Sequence, residues 1–218
     1  MRSTKRIMHL FLLVIVTQLT AATTVAADRL PLLPDVDEVY PLAPVWHGLT
    51  VLHIGDSHVA AGLSAGLRRH FAETGARYIT DVWVGSREQT WVTTGRLKEL
   101  LAQVRPDVVI VTLGTNAMWH KRPDKYATWV RALAGQIGRR ACYWLGPPPI
   151  LADPYGFIDM QAHSCGPCEW FDSRALATPP RPDGKFHLTR GQGEGWAERV
   201  WTWMNRTRLP PAALGHAL

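Results

Sequence analysis

The segment Asp107-Val-Val-Ile-Val-Thr-Leu113, held between Pro106 and Gly114, constrains the fold more than any other stretch of this chain. Its β-branched residues suit a strand, and the lack of polar alternation leaves no face for water. Such a strand belongs to a parallel sheet covered by helices on both sides. Weaker runs agree. Thr50-Val-Leu-His-Ile54 ends at Gly55, Arg77 to Val84 reads as a second strand, and Ala141 to Leu145 stops at Gly146 and three prolines. A short fifth strand is expected at Glu169 to Asp172. Between them the apolar spacing changes to that of a helix. Val59, Leu63, Leu67 and Phe71 recur every fourth residue up to Gly75, and Leu97, Leu100, Leu101 and Val104 form a second stripe. Tyr126, Val130, Leu133 and Ile137 lie between Pro123 and Gly138, which suit the start and end of a helix. A last helix carries Trp196, Val200, Trp201 and Met204, with Thr189 and Gln192 at capping-box spacing. Strand–helix alternation predicts a three-layer α/β/α sandwich with a central parallel sheet, and functional loops gather at the carboxyl ends of such strands.

Outside that window the chain reads differently. Arg2, Lys5 and Arg6 precede an apolar run, Met8 to Val16, that is too short to span a bilayer; small residues follow and end at Val25-Ala26-Ala27. Residues 1–27 therefore read as a signal peptide, and the mature chain as exported, periplasmic or secreted, with no stable membrane span. An uncleaved anchor is the alternative. Residues 28–44, with four prolines, read as an extended lead-in, 45–208 as one domain, and 209–218 as an irregular tail. A hydrophobic fraction of 46% with 19% charged residues suits one globular domain and excludes a disordered or collagen-like chain. The formal charge of +6 loses three basic residues with the signal. The rest are scattered without a basic stripe, so nucleic acid is not an expected partner.

The chemistry-bearing residues sit at the predicted strand ends. Gly55-Asp56-Ser57-His58 follows the first strand, Gly85-Ser86 the second and Gly114-Thr115-Asn116 the third; Asp183-Gly-Lys-Phe-His187 precedes the last helix. A serine hydroxyl needs a base to become a nucleophile. Ser57, between a buried strand and a helix, would be held at one point of a cleft, and His187, on the same sheet edge, could supply the base. The plain alternatives are that Ser57 and Asn116 cap helices, Gly85 and Gly114 serve turns, and His187 is a surface histidine.

These four blocks, in this order, resemble the SGNH (GDSL-type) hydrolase family from about His53 to about Trp196. The resemblance implies a flavodoxin-like α/β/α fold and an esterase. Ser57 would be the nucleophile, His187 the base and Asp183 its orienting partner. The backbone N–H groups of Ser57 and Gly85 and the side-chain amide of Asn116 would form the oxyanion hole. Neither cofactor nor metal is implied. Three departures from the family pattern stand out. Asp183 precedes the histidine by four residues instead of three, with Asp172 as rival; Ala117 replaces a common Asp; His58 replaces the Leu of the signature, as a cleft-wall residue. Asp56 is expected to order its own turn, and glycine at 85 to leave room for the substrate.

The Gly-Asp-Ser-His variant and the envelope address are similar to bacterial relatives that deacetylate cell-wall glycans, so the expected partner is an O-acetylated glycan or another ester-bearing small molecule. Trp83, Trp91 and Trp119 lie near the site loops and could stack on sugar rings. A lipid ester, acyl transfer onto glycan, a catalytically silent glycan-binding module and a thiol–disulfide protein are the other readings. The last rests on Cys165-Gly-Pro-Cys168, expected as a local disulfide, with pairing to Cys142 as the alternative. Oligomeric state is left open.

Overall fold

A computed structural model describes residues 46–176 and 187–207. The segments expected as signal peptide, lead-in and 209–218 tail, together with Asp183, lie outside the described residues. Five parallel strands form one sheet: β1 (Thr50–Gly55), β2 (Arg77–Val82), β3 (Val108–Thr112), β4 (Ala141–Leu145) and β5 (Glu169–Phe171), in spatial order β2-β1-β3-β4-β5. The helices are α1 (Ser64–Thr74), α2 (Glu88–Thr94), α3 (Arg96–Val104), α4 (Pro123–Ile137), α5 (Phe157–Ser164) and α6 (Arg190–Arg206). All residues of β3 and β4 are buried, as their sequences require.

Alternate strand residues divide between two cores. Leu52, Ile54, Val109, Val111 and Trp144 pack with Trp91, Leu97, Val130, Leu133 and Phe157, from α2 to α5. Val51, Val108, Ile110, Tyr143 and Leu145 pack with Leu67, Phe71, Trp196 and Val200, from α1 and α6. The three layers follow from this alternation, because each face of a two-sided apolar sheet must be covered. His53, inside β1, is accommodated by Tyr78 Oη at 2.6 Å and Thr112 Oγ1 at 2.8 Å. Burial pushes its pKa down to about 3.

Two helices are additional to the sequence expectation. Helix α2 is seven residues, and α5 is eight; both are too short to show an apolar period, and Asp153 starts α5 by accepting the N–H groups of Phe157 (2.7 Å) and Ile158 (2.8 Å). The first expected helix is broken near its start. Ala61 and Gly62 leave helical geometry, Gly62 at φ +97°, before α1 begins. This kink meets α6 almost backbone to backbone: a Cβ on Gly193 would lie 1.8 Å from Ala61 O, and one on Gly62 would lie 2.3 Å from Arg190 O. Gly66 faces Ala197 in the same seam. Only residues with little or no side chain allow this approach, which brings the start of α6 against the chain that follows β1. Among the described residues no helix is long and apolar enough to cross a membrane.

Candidate active site

Strand β1 delivers Asp56, Ser57 and His58 to the carboxyl edge of the sheet, where Asp56 N–H donates to Thr112 O at 3.2 Å. Ser57 is half-buried, and its Oγ lies 2.8 Å from Nε2 of His187, which is 130 residues further along the chain. His187 is placed by α6, whose capping box is closed in both directions: Thr189 Oγ1 accepts Gln192 N–H at 3.2 Å, and Gln192 Oε1 accepts Thr189 N–H at 2.8 Å.

Beneath the serine lies a polar layer. The Asp56 carboxylate accepts His58 N–H at 2.9 Å through Oδ1 and Asn116 Nδ2 at 3.0 Å through Oδ2. Asp56 thus orders its turn, as expected, and orients Asn116 as well. Burial pushes its pKa up to about 7; the hydrogen bond from His58 opposes this, and the charge of Glu88 adds to it. The same Asn116 nitrogen donates to Ser86 O at 3.1 Å, joining the loop after β3 to the loop after β2. The two hydrogens of this amide therefore meet Asp56 and Ser86.

Gly85 occupies the third position of a turn closed by Ser86 N–H to Trp83 O at 3.0 Å. Its φ of +75° is the left-handed value that this position of a type II turn requires. A Cβ there would meet nothing within 4 Å, so the glycine answers first to the turn, and the space above it is open. His58 is buried, its ring 5.4 Å from the His187 ring and tilted by 39°. Burial, and secondarily His187, push its pKa down to about 4, and its Nδ1 has no hydrogen-bond partner.

Three residues of this layer were not expected. Glu88, fully buried at the start of α2, accepts Tyr126 Oη–H at 3.0 Å and Gln161 Nε2–H at 2.5 Å; Gln161 also donates to Leu113 O at 3.0 Å. Burial raises the Glu88 pKa. Glu88 is two residues from Ser86, and Leu113 begins the loop that carries Asn116, so Gln161 of α5 couples the two loops from below. With α5 unrecognised, no sequence signal pointed to it.

Asp183 lies outside the described residues. Other expectations need correction. The rival Asp172 is committed to Arg174, whose guanidinium lies 2.7–3.1 Å away and holds the carboxyl below its ordinary range. Cys165 and Cys168 do not pair. The β4–β5 register sets Tyr143 beside Glu169 and hence Cys142 beside Cys168, which form the disulfide, with Cα atoms 4.5 Å apart. Cys165 caps α5 as a buried free thiol, pushed up to about 11 by burial. Of the three tryptophans, Trp91 is fully buried and donates to Ser86 Oγ at 2.9 Å, and Trp83 packs edge-on against it. Trp83 is half-buried with the Arg96 guanidinium over its ring, and Trp119 is 58% exposed.

No family model matches the chain. Protein BcsX of Komagataeibacter xylinus is 26% identical over 181 aligned residues, covering 64% of this chain and 69% of that protein. Among solved structures, TesA superposes with a TM-score of 0.59 at 22% identity, covering 72% of this chain and 98% of its own. The acetyl xylan esterase AlAXEase does so at 0.57 and 18%, covering 71% and 99%. A catalytic mutant of Axe2, an acetylxylan esterase from Geobacillus stearothermophilus, does so at 0.56 and 16%, covering 73% and 95%. In its layers and its strand order, the chain shares the three-layer α/β/α fold of TesA and of these two acetylxylan esterases.

Proposed function

We propose that the chain is an exported serine esterase that removes a small acyl group, acetyl, from a cell-envelope carbohydrate. The observation that carries this reading is the 2.8 Å contact between Ser57 Oγ and His187 Nε2. With Nε2 as acceptor, the neutral imidazole carries its proton on Nδ1 and takes the serine proton as Oγ attacks the ester carbonyl. Asp183 orients that imidazole in this reading. The Ser57 and Gly85 N–H groups and the Asn116 amide stabilise the tetrahedral oxyanion. For Asn116 this is an exchange of acceptors: Asp56 keeps one hydrogen, and the oxyanion replaces Ser86 O on the other. His187 then protonates the departing alcohol oxygen. In the second half-reaction it takes a proton from water, which attacks the acyl-serine and frees the acid.

Carbohydrate as the alcohol is supported by the likeness to two acetylxylan esterases and by the exposed Trp119. The buried Cys165, with its pKa pushed up, weighs against the thiol–disulfide reading, because exchange proceeds through an accessible thiolate. The deciding experiment is hydrolysis of p-nitrophenyl acetate by residues 28–218 beside Ser57→Ala. The parent turns over and the variant does not; equal rates in both sink the serine mechanism.

A further inference from the structure

Three large apolar side chains are exposed among the described residues: Val84 at 71%, Trp119 at 58% and Tyr155 at 42%. Single exposed apolar residues are ordinary. Their distribution here is not, because each stands on a loop that leaves the carboxyl end of a strand. Val84 follows β2, Trp119 follows β3 and Tyr155 follows β4, while Ser57 follows β1. The strand order therefore sets Val84 on one side of the nucleophile, and Trp119 and then Tyr155 on the other. At about 4.8 Å per strand, the loops of Ser57 and Tyr155 spring from points about 10 Å apart.

These side chains are carried on stiff loops. Met118, beside Trp119, is fully buried, and His120 donates its N–H to Ala117 O at 2.9 Å. The loop of Tyr155 is anchored by the Asp153 carboxylate on the first N–H groups of α5. Rings held in place lose little freedom when a ligand covers them. Directly after Trp119 stand exposed His120, Lys121 and Arg122, the last paired with Asp124. Separate planar faces with hydrogen-bonding groups beside one of them match a pyranose chain, whose rings have an apolar C–H face and a rim of hydroxyls. A fatty acyl chain needs a continuous apolar lining, whereas charged residues flank Trp119.

We infer that Trp119 and Tyr155 are successive stacking subsites for a pyranose chain running from Ser57 across β3 towards β4. The inference rests on the esterase reading and adds that the alcohol is an oligo- or polysaccharide. Val84 bounds the chain on the other side of the nucleophile.

The test compares Trp119→Ala and Tyr155→Ala with the parent on p-nitrophenyl acetate and on O-acetylated xylo- and cello-oligosaccharides of two and six units. Both side chains are exposed, so the variants fold. On p-nitrophenyl acetate both variants keep parental kcat/KM within about twofold. On the oligosaccharides of at least one series Trp119→Ala raises KM at least tenfold, about 1.4 kcal/mol. Tyr155→Ala raises KM on the six-unit chain and leaves the two-unit chain unaffected. Unchanged KM for both sugar series in both variants overturns the inference, as does an equal loss on p-nitrophenyl acetate. Titration of Ser57→Ala with unacetylated xylohexaose and cellohexaose, followed by tryptophan fluorescence, keeps the two readings separable. Binding that Trp119→Ala weakens supports the subsites even if no ester is hydrolysed, and absence of binding to both sugars refutes them even if p-nitrophenyl acetate is turned over.

Discussion

Gly193→Ala tests how the histidine is placed. The added Cβ would lie 1.8 Å from Ala61 O and 2.7 Å from Ala61 C, both backbone atoms that no rotamer change can move aside. Reaching an ordinary contact of 3.4 Å requires α6 and the kinked segment to part by about 1.6 Å at this point. Overpacking of this kind costs about 1–3 kcal/mol, and each kcal/mol lowers the melting temperature of a chain of this size by about 2–4 °C. His187 enters α6 six residues before Gly193, and Ser57 lies four residues before Ala61, so the strain falls on the 2.8 Å contact between them. A displacement of about 1 Å in a reacting pair can cost about a hundredfold in rate. The assay is kcat on p-nitrophenyl acetate together with a thermal melt. Gly195→Ala, on the same helix with nothing within 4 Å of its Cβ, is the control. It gains about 0.5–1 kcal/mol from lost backbone freedom and keeps parental kcat. Parental kcat in Gly193→Ala would refute the idea that the glycine seam sets the serine–histidine distance, even with a lowered melting temperature.

Other outcomes follow from the same layer. Asp56 has a folded pKa of about 7 against a reference value of 3.8, so the folded chain holds this proton more tightly. Its contribution to stability is therefore complete below about pH 4 and is lost as pH rises through 7, a change of about 4 kcal/mol. Denaturant titrations at pH 4.5 and 8 should show Asp56→Asn gaining on the parent as pH rises; a constant difference refutes the shifted pKa. His58, lowered to about 4, acts in the opposite sense: its stability is present above about pH 6.5 and is lost as pH falls through 4, so His58→Leu flattens the acid limb of the stability curve. Gln161→Ala leaves a buried Glu88 oxygen without its donor, at a cost of about 1–3 kcal/mol, and lowers kcat more than KM. The same kcat and stability as the parent would show that Gln161 does not couple the loops. Removing the disulfide with Cys142→Ser reopens a link across 26 residues of sequence. That costs about 3.5 kcal/mol by chain entropy, read as a fall in melting temperature.

What the sequence by itself determined was whatever depends on neighbours along the chain. The β-branched run of β3, the Gly and Pro stops and the closed capping box of α6 are local, and their elements lie where the residues place them. The blocks at Gly55, Gly85 and Gly114 also lie at strand ends because strand–helix alternation dictates the sheet. The tertiary structure decided what depends on contacts between distant segments. Cys142 pairs with Cys168 because of strand register, whereas sequence proximity favours Cys165. Trp91 is buried and Trp119 exposed, although both follow a strand end closely, because α2 turns Trp91 onto the core, whereas in the loop after β3 Ala117 and Met118 pack there instead. Glu88, Tyr126 and Gln161 meet only when α2, α4 and α5 pack together, and no periodicity within two short turns can announce that. The close approach of α6 to the kink after β1 needs two glycines, Gly62 and Gly193, that no apolar period singles out; a missing side chain reveals its purpose only when the backbone it admits is seen beside it.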